Sequence, residues 1–443
     1  MLCVSLVDDD YYQRNRKLIA DYLRSGSKGP KDGAHGMLGF ELEHVVLRAL
    51  PDGSSAPAEY EGPHGVAELL RRLRPHYDAP LLEGDRLVGL ACPGETVTTE
   101  PSLQTEVSAG PHGSVTELAG EYRRWRSWVD PIVDELGLSL PELGYNPTAP
   151  TAELPLSPKF RYACMDRYLR AIGSYGPQMM RGSASLQISI DFSDERDAAR
   201  KLRIANAIGP VMALMLDNAP IHEGRPRRYN LVRTRIWQDV DPARCGVVPG
   251  SLGQGFSFER YADWVLGVPA ILVPDESSPG GWRYVGAQTF AAVYRDREMT
   301  RAEVEHALSM EWPDVRVKTY LEIRQADAVP APYAFAYAAL VKGLFYGEAS
   351  LSVLEGELSQ AGSEGGFVSA WDVTAAKDAL ILDEEGGYGA RVYGRPVGAW
   401  ADLLLRLAHQ ELDTDEERYL DPLDELVSSR ETLAQRWLRV HDL

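Results

Sequence analysis

Cysteine is scarce in this chain. Cys3, Cys92, Cys164 and Cys245 are the only four in 443 residues, widely spaced and without a CxxC pair. That pattern supports neither a zinc knuckle nor a disulfide-stapled secreted domain, and it points to a reducing compartment. Positive charge is also short, with 46 Lys and Arg against 65 Asp and Glu and a formal net charge of −19. A role on nucleic acid or on an anionic membrane needs a basic face, so neither partner is expected. Long hydrophobic runs are missing as well. The longest nearly apolar stretch, Ile204 to Leu216, falls short of the ~20 residues that span a bilayer. The N-terminal MLCVSLVDDD lacks a basic lead-in and turns acidic, unlike a signal peptide. Together these absences predict a cytoplasmic protein.

Several catalytic templates are missing too. There is no GxxxxGK[ST] and no GxGxxG after a strand, so a nucleotide here would not rest on a P-loop or a dinucleotide turn. No GxSxG elbow and no HExxH helix occur. His44 reads as a packed histidine, and Cys164 and Cys245 as small core residues with no nearby base.

What is present is the material of a large folded core, 44% hydrophobic and 9% aromatic, which excludes disorder for most of the chain. No repeat period appears. Loops announce themselves at Pro51–Gly65, Pro274–Gly281, Ala361–Gly366 and Asp383–Pro396, yet none reads as a linker. Helical spacing covers Tyr12–Leu23, Gly113–Leu136, Asp194–Leu216, Arg301–Met310 and Phe335–Phe345. Residues 1–443 are therefore expected to form a single domain, with a helical C-terminal part from about Val397. Strands are expected at Met37–Leu47, Thr105–Ala109, Ser183–Phe192, Leu231–Trp237 and Lys318–Arg324.

The strands carry the chemistry. Ser185, Gln187, Ser189 and Asp191 alternate with Leu186, Ile188 and Ile190, so polar and apolar residues leave opposite faces. Glu41 and Glu43 in GFELEH share one face. Gln104, Glu106 and Ser108 repeat the spacing, with Glu100 just upstream, and Glu322 and Arg324 in YLEIR do so again. Any one pair could be a solvent-facing strand. Carboxylates gathered on neighbouring strands repel unless cations sit between them, and a set of hard oxygen donors without His or Cys suits Mg²⁺. Arg233 and Arg235, with Arg244 nearby, lie in LVRTRIWQDVDPARCG. Guanidinium groups bind carboxylate or phosphate bidentately, so this stretch is a candidate for anion binding.

The ordered set GFELEH, TTEPSLQTEVSAGP, SPKFRYACMDRYL, MMRGSASLQISIDF, VRTRIWQDVDPARCG and YLEIRQAD resembles glutamate–cysteine ligase of the plant-type group. Shorter matches at RSGSK, FERYADWVLGVP and WPDVRVKTYLEIR support the likeness. It implies an α+β fold similar to the catalytic domain of glutamine synthetase, a curved antiparallel sheet forming a half-barrel with helices on its convex face. It implies ATP as co-substrate and Mg²⁺ as cofactor. Glutamate would be activated as γ-glutamyl phosphate and captured by the amine of cysteine, for thiol biosynthesis of the glutathione kind. Carried over, Glu41, Glu43, Glu100, Glu106 and Glu322 are the expected metal carboxylates, with Glu322 and Arg324 catalytic. Arg233, Arg235, Gln187 and Arg324 are expected to face nucleotide or substrate, and Trp237 to pack beside them. The expected state is a monomer or homodimer. Plant members carry arginine where Gly182 stands, a role Arg181 could take over, and asparagine where Ser189 stands. A γ-glutamyl ligase using another amine is therefore the alternative, and a Mg²⁺-dependent hydrolase a third reading.

Overall fold

Alternation of polar and apolar residues builds one large sheet. The computed structural model describes residues 10–29, 36–278 and 281–443. Cys3, the rest of segment 1–9 and two residues of the Pro274–Gly281 loop lie outside the described residues. Helix α1 (Asp10–Arg24) precedes β1 (Leu38–His44). Strands β2 (Ala79–Glu83), β3 (Arg86–Cys92), β4 (Glu95–Thr99) and β5 (Thr105–His112) follow as a meander, then helix α2 (Val115–Glu135). Helix α3 (Phe160–Leu169) leads to β6 (Ser185–Ile190), α4 (Glu195–Met215) and α5 (Val232–Trp237). After β7 (Val315–Val317) and β8 (Leu321–Asp327) come α6 (Ala331–Tyr346), α7 (Ala370–Leu382) and α8 (Val397–Glu411).

The eight strands lie in the order β7-β8-β6-β1-β5-β4-β3-β2, every neighbouring pair antiparallel. The sheet stays open, with β7 and β2 as its edges. One face is apolar. Leu38, Phe40 and Leu42, Leu186, Ile188 and Ile190, and Leu321 and Ile323 are all buried there. Helices α2, α4 and α6 pack against these strands. Helix α6 is buried almost all round, as a helix apolar on every side must be. The expected α+β class and antiparallel architecture are borne out.

Two expectations need correction. Leu231–Trp237 is not a strand: Leu231 takes a left-handed φ of 51°, and a short helix runs from Val232. Val232 and Ile236 are four residues apart and both buried, a spacing that serves a helix turn as well as the alternation that suggested a strand. The last long strand starts later than expected, at Leu321, and continues to Asp327.

A bulge in β8 sets the parity of its polar residues. Ile323 pairs with Ile188, but Ala326 rather than Gln325 pairs with Leu186. Alternation puts Arg324 on the polar face and Gln325 towards α4, where a Cβ on Gly209 would come 2.6 Å from its amide nitrogen, and the extra residue shifts the face of the residues that follow. Asp327 returns to the polar face opposite Ser185.

Candidate active site

The polar face of the sheet collects the glutamates. Glu41 lies opposite Gln187 on β6 and opposite Ser108 on β5. Glu43 lies directly opposite Glu106, and Thr98 of β4 flanks Glu106 on its other side. Glu322 pairs with Ser189. Glu100 sits in the turn between β4 and β5, where it accepts a 3.2 Å hydrogen bond from the Tyr162 hydroxyl. All five glutamates proposed from the sequence thus converge on one surface. Gln104 does not join them. Its amide is used on the backbone, donating to the Ser183 carbonyl at 2.9 Å and accepting from the Ser102 N–H at 2.7 Å.

Charge on this surface is uneven. At the β8 end, one carboxylate holds three cations. Glu322 Oε2 accepts from Arg316 at 2.8 and 2.6 Å and from Arg324 Nη1 at 2.5 Å, while Oε1 accepts from Lys318 at 3.1 Å. Burial alone would raise the Glu322 carboxyl, but Arg316, Lys318 and Arg324 outweigh it and hold it well below its ordinary value. Arg324 also donates to Gln187.

Away from that cluster, Glu43, Glu100 and Glu106 have Lys159 and Arg233 as neighbouring cations, while Glu41 also lies within reach of Arg316, Lys318 and Arg324. Burial, then the charge of Glu322, pushes Glu41 up. Burial and Glu100 push Glu43 up to about 7, despite hydrogen bonds from the Ser185 N–H at 2.9 Å and hydroxyl at 2.8 Å. Glu106 is raised well above the ordinary value by burial and by Glu41, Glu100 and Glu43. Lys159 donates to the Thr99 carbonyl at 2.6 Å, and burial lowers its ammonium group.

A divalent cation would relieve these electrostatics. Removing water from several like charges is unfavourable until a counter-charge arrives. Among the described residues, no three His, Cys, Asp or Glu side chains stand close enough to hold a metal as they are placed. The donor chemistry nevertheless fits Mg²⁺ at Glu41, Glu43, Glu100 and Glu106. Glu322 fits it less well, since both of its oxygens are already occupied by Arg316, Lys318 and Arg324.

The arginines divide. Arg233 is buried and donates through Nη1 to the Arg324 carbonyl at 2.9 Å, so it braces the strand that carries the site. Arg235, two residues on, turns away and stacks 4.0 Å over the Tyr229 ring. The expectation for Arg235 is therefore corrected: the short helix sends alternate residues to different sides. Arg244 is structural, tied to Asp241 at 2.7 Å and to the carbonyls of Met310 and Pro269. Arg181, the stand-in considered beside Gly182, is spent on Asp166 at 2.9 Å and on the Leu154 carbonyl at 3.1 Å. Gly182 itself has no room for a side chain, because a Cβ would fall 2.1 Å from the Tyr145 ring. His44 is fully buried, as read from sequence, between the Thr105 carbonyl and the Tyr122 hydroxyl.

Sequence reading missed Arg316, Lys318, Lys159 and Tyr162. The first two had a signal: in VRVK, Val315 and Val317 are buried while Arg316 pairs with Glu322 across the strands. A cavity of about 390 Å³ opens beside Glu41, lined by Lys28, Met37, Cys92, Thr96, Ser108, Ser189, Asp191, Thr319 and Tyr320.

The family model described as glutamate-cysteine ligase family 2 (GCS2) matches residues 37–442. The chain belongs to this family. Among curated proteins, glutamate–cysteine ligase of Medicago truncatula is 31% identical over 350 residues, covering 75% of this chain and 65% of that protein. The Nicotiana tabacum enzyme is 30% identical over 76% of this chain and 64% of its own length. Glutamate–cysteine ligase B of Oryza sativa is 28% identical over 95% of this chain and 83% of its own. The chain thus spans just under two thirds of the first two relatives. All three are named chloroplastic. The expectation of a cytoplasmic location is overturned by those names. No helix among the described residues is long and apolar enough to cross a membrane. The fold of this family member is shared with a solved glutamate–cysteine ligase from Francisella tularensis in complex with AMP. That match has a TM-score of 0.55 at 10% identity and covers 92% of this chain and 85% of that one.

Proposed function

We propose that the protein ligates the γ-carboxylate of L-glutamate to the amine of L-cysteine, using ATP and Mg²⁺, to give γ-glutamylcysteine. The observation that supports this most is the polarised face: four repelling carboxylates at one end and a three-cation cluster around Glu322 at the other, on a chain of this family. Glutamate's carboxylate oxygen attacks the γ-phosphorus of ATP, the bond to ADP breaks, and γ-glutamyl phosphate forms. The amine then attacks the acyl carbon, phosphate leaves, and the amine gives up a proton.

The chain's own contribution is to neutralise and align anions. Arg324 meets the transferred phosphoryl group, held in place by Glu322 and Gln187. Arg316 and Lys318 add positive charge at the same end. Arg233 keeps the backbone of Arg324 fixed. Glu41, Glu43, Glu100 and Glu106 would hold Mg²⁺, which supplies Lewis-acid neutralisation of the phosphate oxygens when bound. The cavity beside Glu41 has the size for a nucleotide, and Tyr320 in its wall offers a ring to stack on a base. The proposal takes residues 1–443 as one catalytic unit, monomeric or homodimeric. The continuous apolar core from Ile19 to Leu433 supports a single unit.

The test is product identification by mass spectrometry after incubation with ATP, MgCl₂, glutamate and a mixture of amino acids. A γ-glutamylcysteine product supports the proposal. A γ-glutamyl product with another amine selects the alternative acceptor, and ATP consumption without any amide removes the ligase reading.

A further inference from the structure

A second polar pocket lies on the other side of β8 from the carboxylates. It sits between α4, α5 and α7 where β8 runs on past the end of β7, and its cavity measures about 30 Å³. That is room for roughly two or three waters, or for one compact ion. Gln325, Arg233, Trp237, Lys377 and Asp314 line it. Three of these bring buried polar atoms that find no partner in the protein: both ends of the Gln325 amide, Nε of Arg233 and Nε1 of Trp237. Gln325 is 8% exposed and Arg233 4%. Alternation along β8 turns Gln325 this way, and Gly209 leaves the space for its amide.

The chemistry of that lining is specific. Arg233 Nε, Trp237 Nε1 and Gln325 Nε2 are hydrogen-bond donors, and Gln325 Oε1 is an acceptor. Arg324 also lines the pocket but is held by Glu322, and Lys377 and Asp314 pair with each other at 2.5 Å, so among the described residues Arg233 is the lining cation with no carboxylate at ion-pair distance. A buried cation with an unused donor draws an anion, because leaving it bare is costly. We infer that this pocket binds a small oxyanion bearing one hydroxyl, hydrogenphosphate or hydrogencarbonate in type: its oxygens take the three donors and its hydroxyl gives to Gln325. Occupancy is linked to the carboxylate face through Arg233, whose Nη1 holds the Arg324 carbonyl.

The site stands on geometry. Only its link to phosphate released by turnover rests on the ligase reading, and binding is measured without turnover, so the two fail separately. Equilibrium dialysis of the full chain against labelled inorganic phosphate, and in a second arm labelled hydrogencarbonate, tests it. Saturable uptake of either ion that weakens at least tenfold in both Gln325→Met and Trp237→Phe is the expected result. Circular dichroism checks that each variant is folded. If neither ion is taken up, or uptake is undiminished in the folded variants, the assignment is overturned. With the ligase active, phosphate should also inhibit without competing against ATP, and Gln325→Met should abolish that component.

Discussion

Glu43 and Glu106 are direct register partners on adjacent antiparallel strands, so two carboxylates leave the same face with nothing between their backbones. Like charges placed so are destabilising in an ordinary sheet. Here the pair is reinforced by Glu41 on the same strand as Glu43 and by Glu100 in the neighbouring turn. Apolar residues fill the opposite face of the sheet. An arrangement that costs stability in an otherwise well-packed fold belongs to function.

The Glu43 carboxylate should cost the metal-free protein stability as pH rises. Glu43 has a folded-state value near 7 against an ordinary 4.5. The folded state therefore keeps a proton that the unfolded chain has released. Its contribution is full below pH 4.5 and is lost as pH passes 7, by up to about 3 kcal/mol. Thermal denaturation of the parent and of Glu43→Gln at pH 5 and pH 8 isolates this, because the buried His44 and His306, held below their ordinary values, change stability with the opposite sign over the same range. MgCl₂ should restore the loss at pH 8 and do little at pH 5; a parent that loses no more stability than Glu43→Gln between these pH values would contradict it.

Glu106→Gln removes one member of the repelling pair. The metal-free variant should be more stable than the parent by about 0.2–1 kcal/mol, with Mg²⁺-dependent turnover reduced. Urea denaturation and a phosphate-release assay measure the two effects. A destabilised variant would mean that the Glu106 carboxylate is already compensated.

Glu322→Gln should do the opposite. Arg316, Lys318 and Arg324 would be left around a neutral amide, and breaking a buried ionic cluster costs about 3–5 kcal/mol. Chemical denaturation of the two glutamine variants side by side distinguishes a carboxylate held by protein cations from one awaiting a metal. Equal behaviour would erase that distinction.

Arg324→Ala should lower kcat by about 10²–10³, the effect of removing a donor aimed at developing charge. Arg235→Ala should leave turnover within about twofold, since a surface substitution of this kind is usually small. Matched steady-state kinetics test both. Near-normal turnover in Arg324→Ala would move the phosphate contact elsewhere.

The glutamates were legible because alternation is local: a strand with period two shows which side chains share a face before any partner strand is known. Their convergence was legible only through several strands read together. What escaped depends on register and irregularity. Arg316 lies on a strand of three residues and Lys318 in the turn after it, so the alternation in VRVK is brief and marks a polar face only once Glu322 is placed opposite Arg316. The bulge that returns Asp327 to the polar face leaves no mark in YLEIRQAD. VRTRIW alternates like a strand, yet Val232 and Ile236 also satisfy a helix, and the left-handed turn at Leu231 decided between them. Arg235 went astray for that reason.

The most direct test of the carboxylate face is calorimetric titration of metal-free protein with MgCl₂ at pH 8, for the parent and for a Glu43→Gln, Glu106→Gln double variant. Saturable binding in the parent that disappears in the folded double variant is the expected result. Binding of equal affinity in both would show that these carboxylates do not hold the ion.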